Sequence, residues 1–185
     1  VTKQFYKDYR YQFEKLWNEL NDILDKDPKI AEEFENQTID TANFAKKLMG
    51  QIVFLYFLQK KGWLGVGKDE KGNFKDWGTG PKNFLRRLFD KEFTDYDNFF
   101  NDVLEPLFYE ALATERTNDV FTRFNCKIPF LNGGLFEPIN DYNWEETDIR
   151  IDNDLIGDVF ATFDQYNFTV REDEPLEKEV AVDPE

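Results

Sequence analysis

The sequence contains no histidine and a single cysteine, Cys126. The lack of histidine excludes most zinc sites and removes the commonest general base of enzymes. One cysteine cannot form a disulfide within the chain, and without a histidine partner we expect it to be a structural thiol. Such sparse use of cysteine is typical of a reducing compartment, so we predict a cytoplasmic protein. The longest dense apolar stretch, residues 52–58, is far too short to cross a membrane.

Motifs that bind nucleotides or cut DNA are lacking as well. No glycine-rich phosphate loop occurs, and the nearest match, Asn132-Gly133-Gly134, is not followed by a helix start. A metal-dependent nuclease core needs an aspartate followed by an acid-x-Lys pair on adjacent strands. The single acid-x-Lys triplet in a predicted loop is residues 69–71, and no Pro-Asp dipeptide occurs. We therefore expect no catalytic, cofactor-binding or metal-binding residue in this chain, and we interpret its carboxylate pairs as solvated turns and helix caps.

The net charge of −15 is unevenly distributed along the chain. Residues 137–185 hold 16 acids and 3 bases, whereas residues 1–136 hold 22 acids and 20 bases. Residues 60–91 hold nine bases and four acids. One window of the chain is therefore basic although the chain as a whole is acidic.

Apolar residues recur at helical spacing through most of the sequence, and aromatic residues make up 17% of it, which predicts a phenylalanine-rich core. The central helix should be the buried one, because residues 52–58 are apolar on every side, and Gly62 should end it. The predicted helices cover residues 2–25, 28–34, 41–61, a segment from Pro81, 95–112 with a kink or break near Pro106, and 152–166.

The character of the sequence changes after residue 125. Asn132, Gly133 and Gly134 predict a tight turn or hairpin-like crossing with unusual backbone torsions. Short strands are predicted at residues 149–151, 168–170 and 180–182, the last two around an acidic turn. We predict a mainly α fold with a small, partly extended C-terminal portion. Its two parts would be a helical core at 1–125 and an acidic extension at 126–185, joined in one compact unit.

The two ends of the sequence suggest a piece of a longer protein. The chain begins with Val1 instead of methionine. Asp183-Pro184-Glu185 has the pattern of a helix start, with a capping aspartate, a proline and an acid in the first turn. We expect the sequence to end where its next element begins.

The basic window is the most suggestive chemical feature of the chain. Its cations are interleaved with Trp63, Trp77 and three phenylalanines, a combination that could contact a phosphate backbone. The alternative interpretation is a solvated helix face whose aromatic residues lie in the core. The candidate contacts with the DNA backbone are Lys60, Lys61, Lys82, Arg86 and Arg87.

Five segments, in this order, resemble the region before the methylase core in type IIG restriction–modification enzymes and in related adenine-specific DNA methyltransferases of phage-exclusion systems. The resemblance covers nearly the whole chain, and the strings with LNGGLF and YNFTV are its specific parts. The segments are VTKQFYKDY at 1–9, QIVFLYFLQKKGWL at 51–64, LEPLFYEAL at 104–112, IPFLNGGLFE at 128–137 and YNFTVREDEPLEKEVAVDPE at 166–185.

The resemblance implies a helical connector that joins and orients the parts of a DNA-modifying enzyme. In such enzymes a nuclease, when present, lies before this region, and a methylase that uses S-adenosylmethionine lies after it. The methylase cofactor loop and the Asn-Pro-Pro-aromatic catalytic motif have no match here, so no catalytic residue is carried over. DNA, S-adenosylmethionine and, with a nuclease, Mg²⁺ are therefore expected for the parent enzyme, whose methylase and nuclease domains would be the neighbours of this chain.

Two other classes of function remain open at this stage. Residues 137–185 resemble a polyanion, so the chain could be an acidic protein-interaction module or a DNA mimic, although its near-neutral first part argues against this. A small metal-dependent nuclease is the third alternative, and the missing core motifs argue against it. The reading frame on both sides of this segment would distinguish the three classes.

Overall fold

The computed structural model describes the backbone of residues 2–170 and 180–184 and the side chains of residues 2–169. Helices dominate it, which confirms the predicted fold class. The α-helices are α1 Thr2–Lys26, α2 Pro28–Asn36, α3 Thr41–Lys60, α4 Phe84–Phe89 and α5 Asn153–Phe163. Two π-helical segments, Phe100–Leu104 and Leu107–Leu112, and two short 3₁₀ turns, Thr117–Asp119 and Ile139–Asp141, complete the helical part. The strands are β1 Val120–Phe121, β2 Cys126–Lys127, β3 Tyr166–Val170 and β4 Val180–Pro184.

Capping side chains set the starts of three helices. Asp27 caps α2 by accepting hydrogen bonds from the backbone N–H groups of Lys29 at 3.0 Å and Ile30 at 3.3 Å. Asp40 accepts the N–H of Ala42 at 3.0 Å at the start of α3, and Asp152 accepts an N–H in the same way at the start of α5. The predicted starts of these helices are therefore confirmed, because short-range capping chemistry determines them.

Helix α3 lies at the centre of the fold, where it packs against α1, α4 and β3. Within its apolar run, Ile52 and Leu55 have no exposed surface, and only Val53 and Phe54 are half-buried. Tyr56 contacts Phe168 of β3 at 5.0 Å between ring centres. The predicted buried central helix is confirmed. Buried residues on both sides of residue 125 belong to the same hydrophobic core. The division of the chain into two parts at this residue stays a prediction.

The helix predicted at residues 95–112 differs from the structure in both its start and its type. It begins at Phe100 because Asp102 turns back to accept the N–H groups of Asp97 and Asn98, which fixes the preceding residues as a loop. Pro106 does not break the helix and keeps helical torsions of −59° and −39°. The helical turns before and after Pro106 are wide, because their backbone N–H groups donate to the carbonyl five residues earlier. These wide turns lie where proline, which has no N–H group, removes an ordinary helical hydrogen bond.

The C-terminal part contains two antiparallel pairs, β1 with β2 and β3 with β4. The strands predicted at 168–170 and 180–182 are confirmed, and the acidic turn predicted between them lies outside the described residues. The strand predicted at 149–151 is wrong, because the Asn98 amide, and not a neighbouring strand, donates to the Ile151 carbonyl at 2.8 Å.

Three further predictions need correction. Helix α5 ends at Phe163, earlier than predicted, because Tyr166 already belongs to β3. Helix α4 starts at Phe84, not at Pro81. Asp183 and Pro184, which have the sequence pattern of a helix start, lie instead at the end of β4 and pair with the start of β3. Among the described residues, no helix has the length and apolar character that spanning a bilayer requires.

Candidate nucleic-acid interface

A cleft forms where the end of α3, helix α4 and strand β3 meet. The chain reverses direction after α3 through Gly62, at φ 74°, whose carbonyl accepts the N–H groups of Gly78 and Gly80 at 3.1 and 2.9 Å. A Cβ on Gly62 would lie 2.3 Å from the Gly78 oxygen, so only glycine fits this crossing. The Gln59 side chain then accepts the N–H of Leu85 in the first turn of α4 at 2.9 Å. These contacts fix α4 beside the last turn of α3.

The cleft encloses about 410 Å³ and brings together three of the five cations predicted to contact DNA, Lys60, Lys82 and Arg86. We call it the basic cleft. Lys61 and Arg87, the other two candidates, do not line it. Its lining residues are Tyr56, Gln59, Lys60, Lys82, Asn83, Arg86, Asp164, Tyr166, Asn167 and Phe168.

Arg86 is held by an internal network. Its Nη2 and Nε atoms lie 3.2 and 3.3 Å from Oδ2 of Asp164, the residue that follows α5. The other oxygen of Asp164 accepts a hydrogen bond from the buried Tyr56 hydroxyl at 2.7 Å. Burial, followed by the charge and hydrogen bond of Asp164, raises the pKa of Tyr56 well above its usual value. The charge of Arg86 is therefore largely compensated inside the protein, which makes its main role structural.

Lys60 and Lys82 are exposed, and neither forms an ion pair within the part of the chain that the structure describes. Two polar groups beside them are also without partners among the described residues. These are the Nε2 amide of Gln59, whose residue is 6% exposed, and the buried Oδ1 atom of Asn167. Within the part of the chain that the structure describes, the basic cleft therefore offers two ammonium groups without an ion partner and an amide donor, which suit an anion, and one acceptor, the Asn167 oxygen, which does not.

Lys61 extends this positive surface away from the basic cleft. It lines a neighbouring groove of about 160 Å³ together with Lys60, and its Nζ atom lies 5.5 Å from the ring centre of Trp63. Arg87 is exposed on α4, one position round the helix from Arg86. Lys82 and Lys60 line one cleft and Lys60 and Lys61 the next, so the three lysines follow one another along the surface, whereas Arg87 lines neither.

Two tryptophans of the basic window lie at the surface, which corrects for these two residues the interpretation that placed its aromatics in the core; Phe84 and Phe89 do pack in or against the core. Trp63 and Trp77 are 39% and 40% exposed, whereas Phe84 is fully buried. Residue type alone could not separate them, because the long loop that carries the tryptophans has no periodicity from which burial could be inferred.

The turn at Asn132, Gly133 and Gly134 docks onto the central helix. Gly134 adopts φ 82°, whereas Gly133 does not have a positive φ, and a Cβ on Gly133 would meet nothing within 4 Å. No strands flank the turn, so it is not a hairpin. The Gln51 side chain donates to the Leu135 carbonyl at 2.9 Å, which anchors the turn to α3.

The other groups that could do chemistry are buried or dispersed. Cys126 has no exposed surface, and burial raises the pKa of its thiol to about 12, so little thiolate forms at neutral pH. Within the described ranges no group of three or more histidine, cysteine or acidic residues is placed to hold a metal ion.

The sequence similarity of the chain lies with restriction–modification enzymes. A Methanocaldococcus jannaschii protein named "Putative type II restriction enzyme and methyltransferase" is 30% identical to it over 209 aligned residues, which take in 100% of this chain. The chain spans 16% of the length of that protein. No protein-family model matches the chain. No solved structure matches it.

Proposed function

We propose that this chain is a non-catalytic helical connector within a cytoplasmic, adenine-specific DNA methyltransferase of the type IIG restriction–modification class. The observation that carries the proposal is the similarity of the whole chain to 16% of a much longer protein named as a restriction enzyme and methyltransferase. The absence of histidine and of a cofactor loop from the sequence supports a structural role. S-adenosylmethionine, and Mg²⁺ where a nuclease is present, would then be held by the neighbouring domains.

The first test compares the isolated chain with the full-length enzyme. Each is incubated with DNA, Mg²⁺ and labelled S-adenosylmethionine. We expect label transfer by the full-length enzyme and neither transfer nor cleavage by the chain alone. Transfer that increases with the amount of isolated chain would show that the chain is itself a catalyst and would contradict the connector function.

Within that enzyme, the basic cleft and its extension to Lys61 would contact the DNA backbone. Lys60 and Lys82 have charges that no described acid neutralises. Lysine contacts to phosphate position a duplex without reading its sequence. The surface would therefore hold and orient DNA for the catalytic domains.

The second test reverses the free charges in the full-length enzyme with Lys60→Glu and Lys82→Glu together. Affinity should fall about equally for cognate and random duplexes, and the salt dependence should flatten by roughly 0.9 in log–log slope for each phosphate that the variant no longer neutralises. The control makes the same charge change at Lys3 and Lys7, two exposed residues of α1. An equal loss of affinity in the control, or an unchanged salt slope, would assign the two lysines to a plain solvated face.

A further inference from the structure

The loop between Gly62 and Gly80 is fixed against the body of the protein. Val66 pairs with Lys127 of β2 through backbone hydrogen bonds of 3.3 and 2.9 Å. At the other end, a Cβ on Gly80 would lie 2.2 Å from the Leu64 oxygen, so the backbones there are in direct contact. The backbone of this loop is therefore held in place at these two points, which favours a surface that binds a ligand without first ordering its backbone.

Trp63 and Trp77 form two walls of a cleft of about 270 Å³ on this loop. Pro129, Phe130 and Asp119 complete its lining, and we call it the tryptophan cleft. Both tryptophans are more than a third exposed. Partly exposed aromatic rings that line one cleft offer apolar surface to a planar ligand.

A lysine accompanies each tryptophan. The Nζ atom of Lys61 lies 5.5 Å from the Trp63 ring centre, and that of Lys127 lies 4.4 Å from the Trp77 ring centre. Such an ammonium group stays on a flexible stem that can swing toward a nearby anion while the indole keeps its position. In both contacts the ammonium group lies over the ring. Aromatic rings accompanied by cations are the combination that binds single-stranded nucleic acid, where bases stack and phosphates pair with lysine.

We propose that the tryptophan cleft binds an unpaired base of single-stranded DNA by stacking on Trp63 and Trp77. The inference deepens the proposed function and rests on it, because Lys61 joins the two surfaces. Lys61 shares a groove with Lys60 of the basic cleft and also reaches Trp63. A strand whose phosphates follow the lysines therefore arrives at the tryptophan cleft. A base extruded from the duplex, or a locally melted strand, is the ligand that this cleft accommodates.

The test uses the purified chain, a single-stranded ten-nucleotide DNA of mixed sequence, and tryptophan emission at low salt. Stacking should quench the emission. Trp63→Leu and Trp77→Leu should each weaken single-strand affinity by about tenfold or more, because each removes a stacking face and keeps an apolar side chain. Tyrosine at the same positions should stay within about threefold of wild type, since it retains a ring. Thermal melting confirms that each variant is folded.

Tyr11→Leu is the matched control. Tyr11 is 61% exposed and also has a lysine, Lys15, 5.4 Å from its ring, but it lies on α1, outside the tryptophan cleft. We expect its replacement to leave single-strand affinity unchanged. Unchanged affinity in both Trp→Leu variants, or an equal loss in the tyrosine variants, would overturn the stacking site, as would an equal loss in the control. The proposed contact of the basic cleft with DNA phosphates is tested separately. An unchanged salt slope for duplex binding by the enzyme that carries Lys60→Glu and Lys82→Glu would contradict that contact.

Discussion

A buried carboxyl group gives a quantitative test of the core. Glu105 lies between the two π-helical segments with no exposed surface. Its Oε2 atom accepts a hydrogen bond of 2.6 Å from the Tyr142 hydroxyl, which lies 2.8 Å from that of Tyr109. Its Oε1 atom has no partner within the described residues. Burial raises the pKa of Glu105 well above its ordinary value of 4.5, although the Tyr142 hydrogen bond opposes the shift.

Replacing Glu105 by glutamine keeps the shape of the side chain and removes its titration. As the pH rises above 4.5, the unfolded wild-type chain releases this proton while the folded protein retains it. The contribution of Glu105 to stability is therefore complete at low pH and decreases by about 1.4 kcal/mol per pH unit until the folded pKa is reached. Because the glutamine variant lacks this dependence, its stability relative to wild type should increase as the pH rises above 4.5 and should stop increasing once the folded pKa of Glu105 is passed.

The measurement is urea-induced unfolding of both proteins at pH 5, 6, 7 and 8. A constant offset is expected from the altered hydrogen bonding of the amide, so the slope with pH is the informative quantity. Glu110→Gln is the control for the same chemical change at a partly exposed carboxylate, which pairs with Arg123. A difference between wild type and Glu105→Gln that does not change with pH would refute the buried, protonated carboxyl group.

Three further predictions concern stability. Leu55→Ala removes a fully buried side chain and should lower the free energy of unfolding in urea by about 2–5 kcal/mol, and wild-type stability would contradict the central position of α3. Gly134→Val should lower the free energy of unfolding by about 1–3 kcal/mol, because Gly134 has a positive φ. Gly133→Ala should melt like wild type, and equal effects of the two changes would contradict the observed torsions. Arg86→Glu should lower the free energy of unfolding by about 1–3 kcal/mol, because it places a carboxylate against Asp164. Arg87→Glu should leave the urea midpoint unchanged. A larger effect of Arg87→Glu than of Arg86→Glu would contradict the internal network.

Local signals account for the parts of the fold that could be predicted from the sequence. The starts of α2, α3 and α5 depend on Asp27, Asp40 and Asp152, whose side chains cap amides only two or three residues away. The burial of residues 52–58 follows from a run that has no polar face. These features depend on neighbours in the sequence, so no knowledge of the tertiary structure was needed.

The features that could not be predicted depend on distant partners. Helical spacing placed Arg86 away from the apolar face of α4, but Asp164, which is 78 residues away, makes it part of an internal ion pair. Residues 149–151, before α5, are of types that favour a strand. In the structure the Ile151 carbonyl accepts a hydrogen bond from the distant Asn98 side chain and not from a neighbouring strand. Tryptophan is a large aromatic residue that usually lies at least partly in a core. The loop that carries Trp63 and Trp77 nevertheless packs with both rings more than a third exposed.

The two candidate surfaces share a single support, which links their geometry. The last turn of α3 contributes Lys60 to the basic cleft, and Gln59 in the same turn fixes α4 on the opposite wall. Two residues after Lys60, Gly62 accepts the hydrogen bonds that close the loop between Gly62 and Gly80, which carries both tryptophans. Because most of α3 from Phe44 onward is buried in the core, neither surface can move far without disturbing its packing. A strand bound along both surfaces would therefore have a fixed direction relative to the core, which is the property that a connector needs in order to present DNA to the domains it joins.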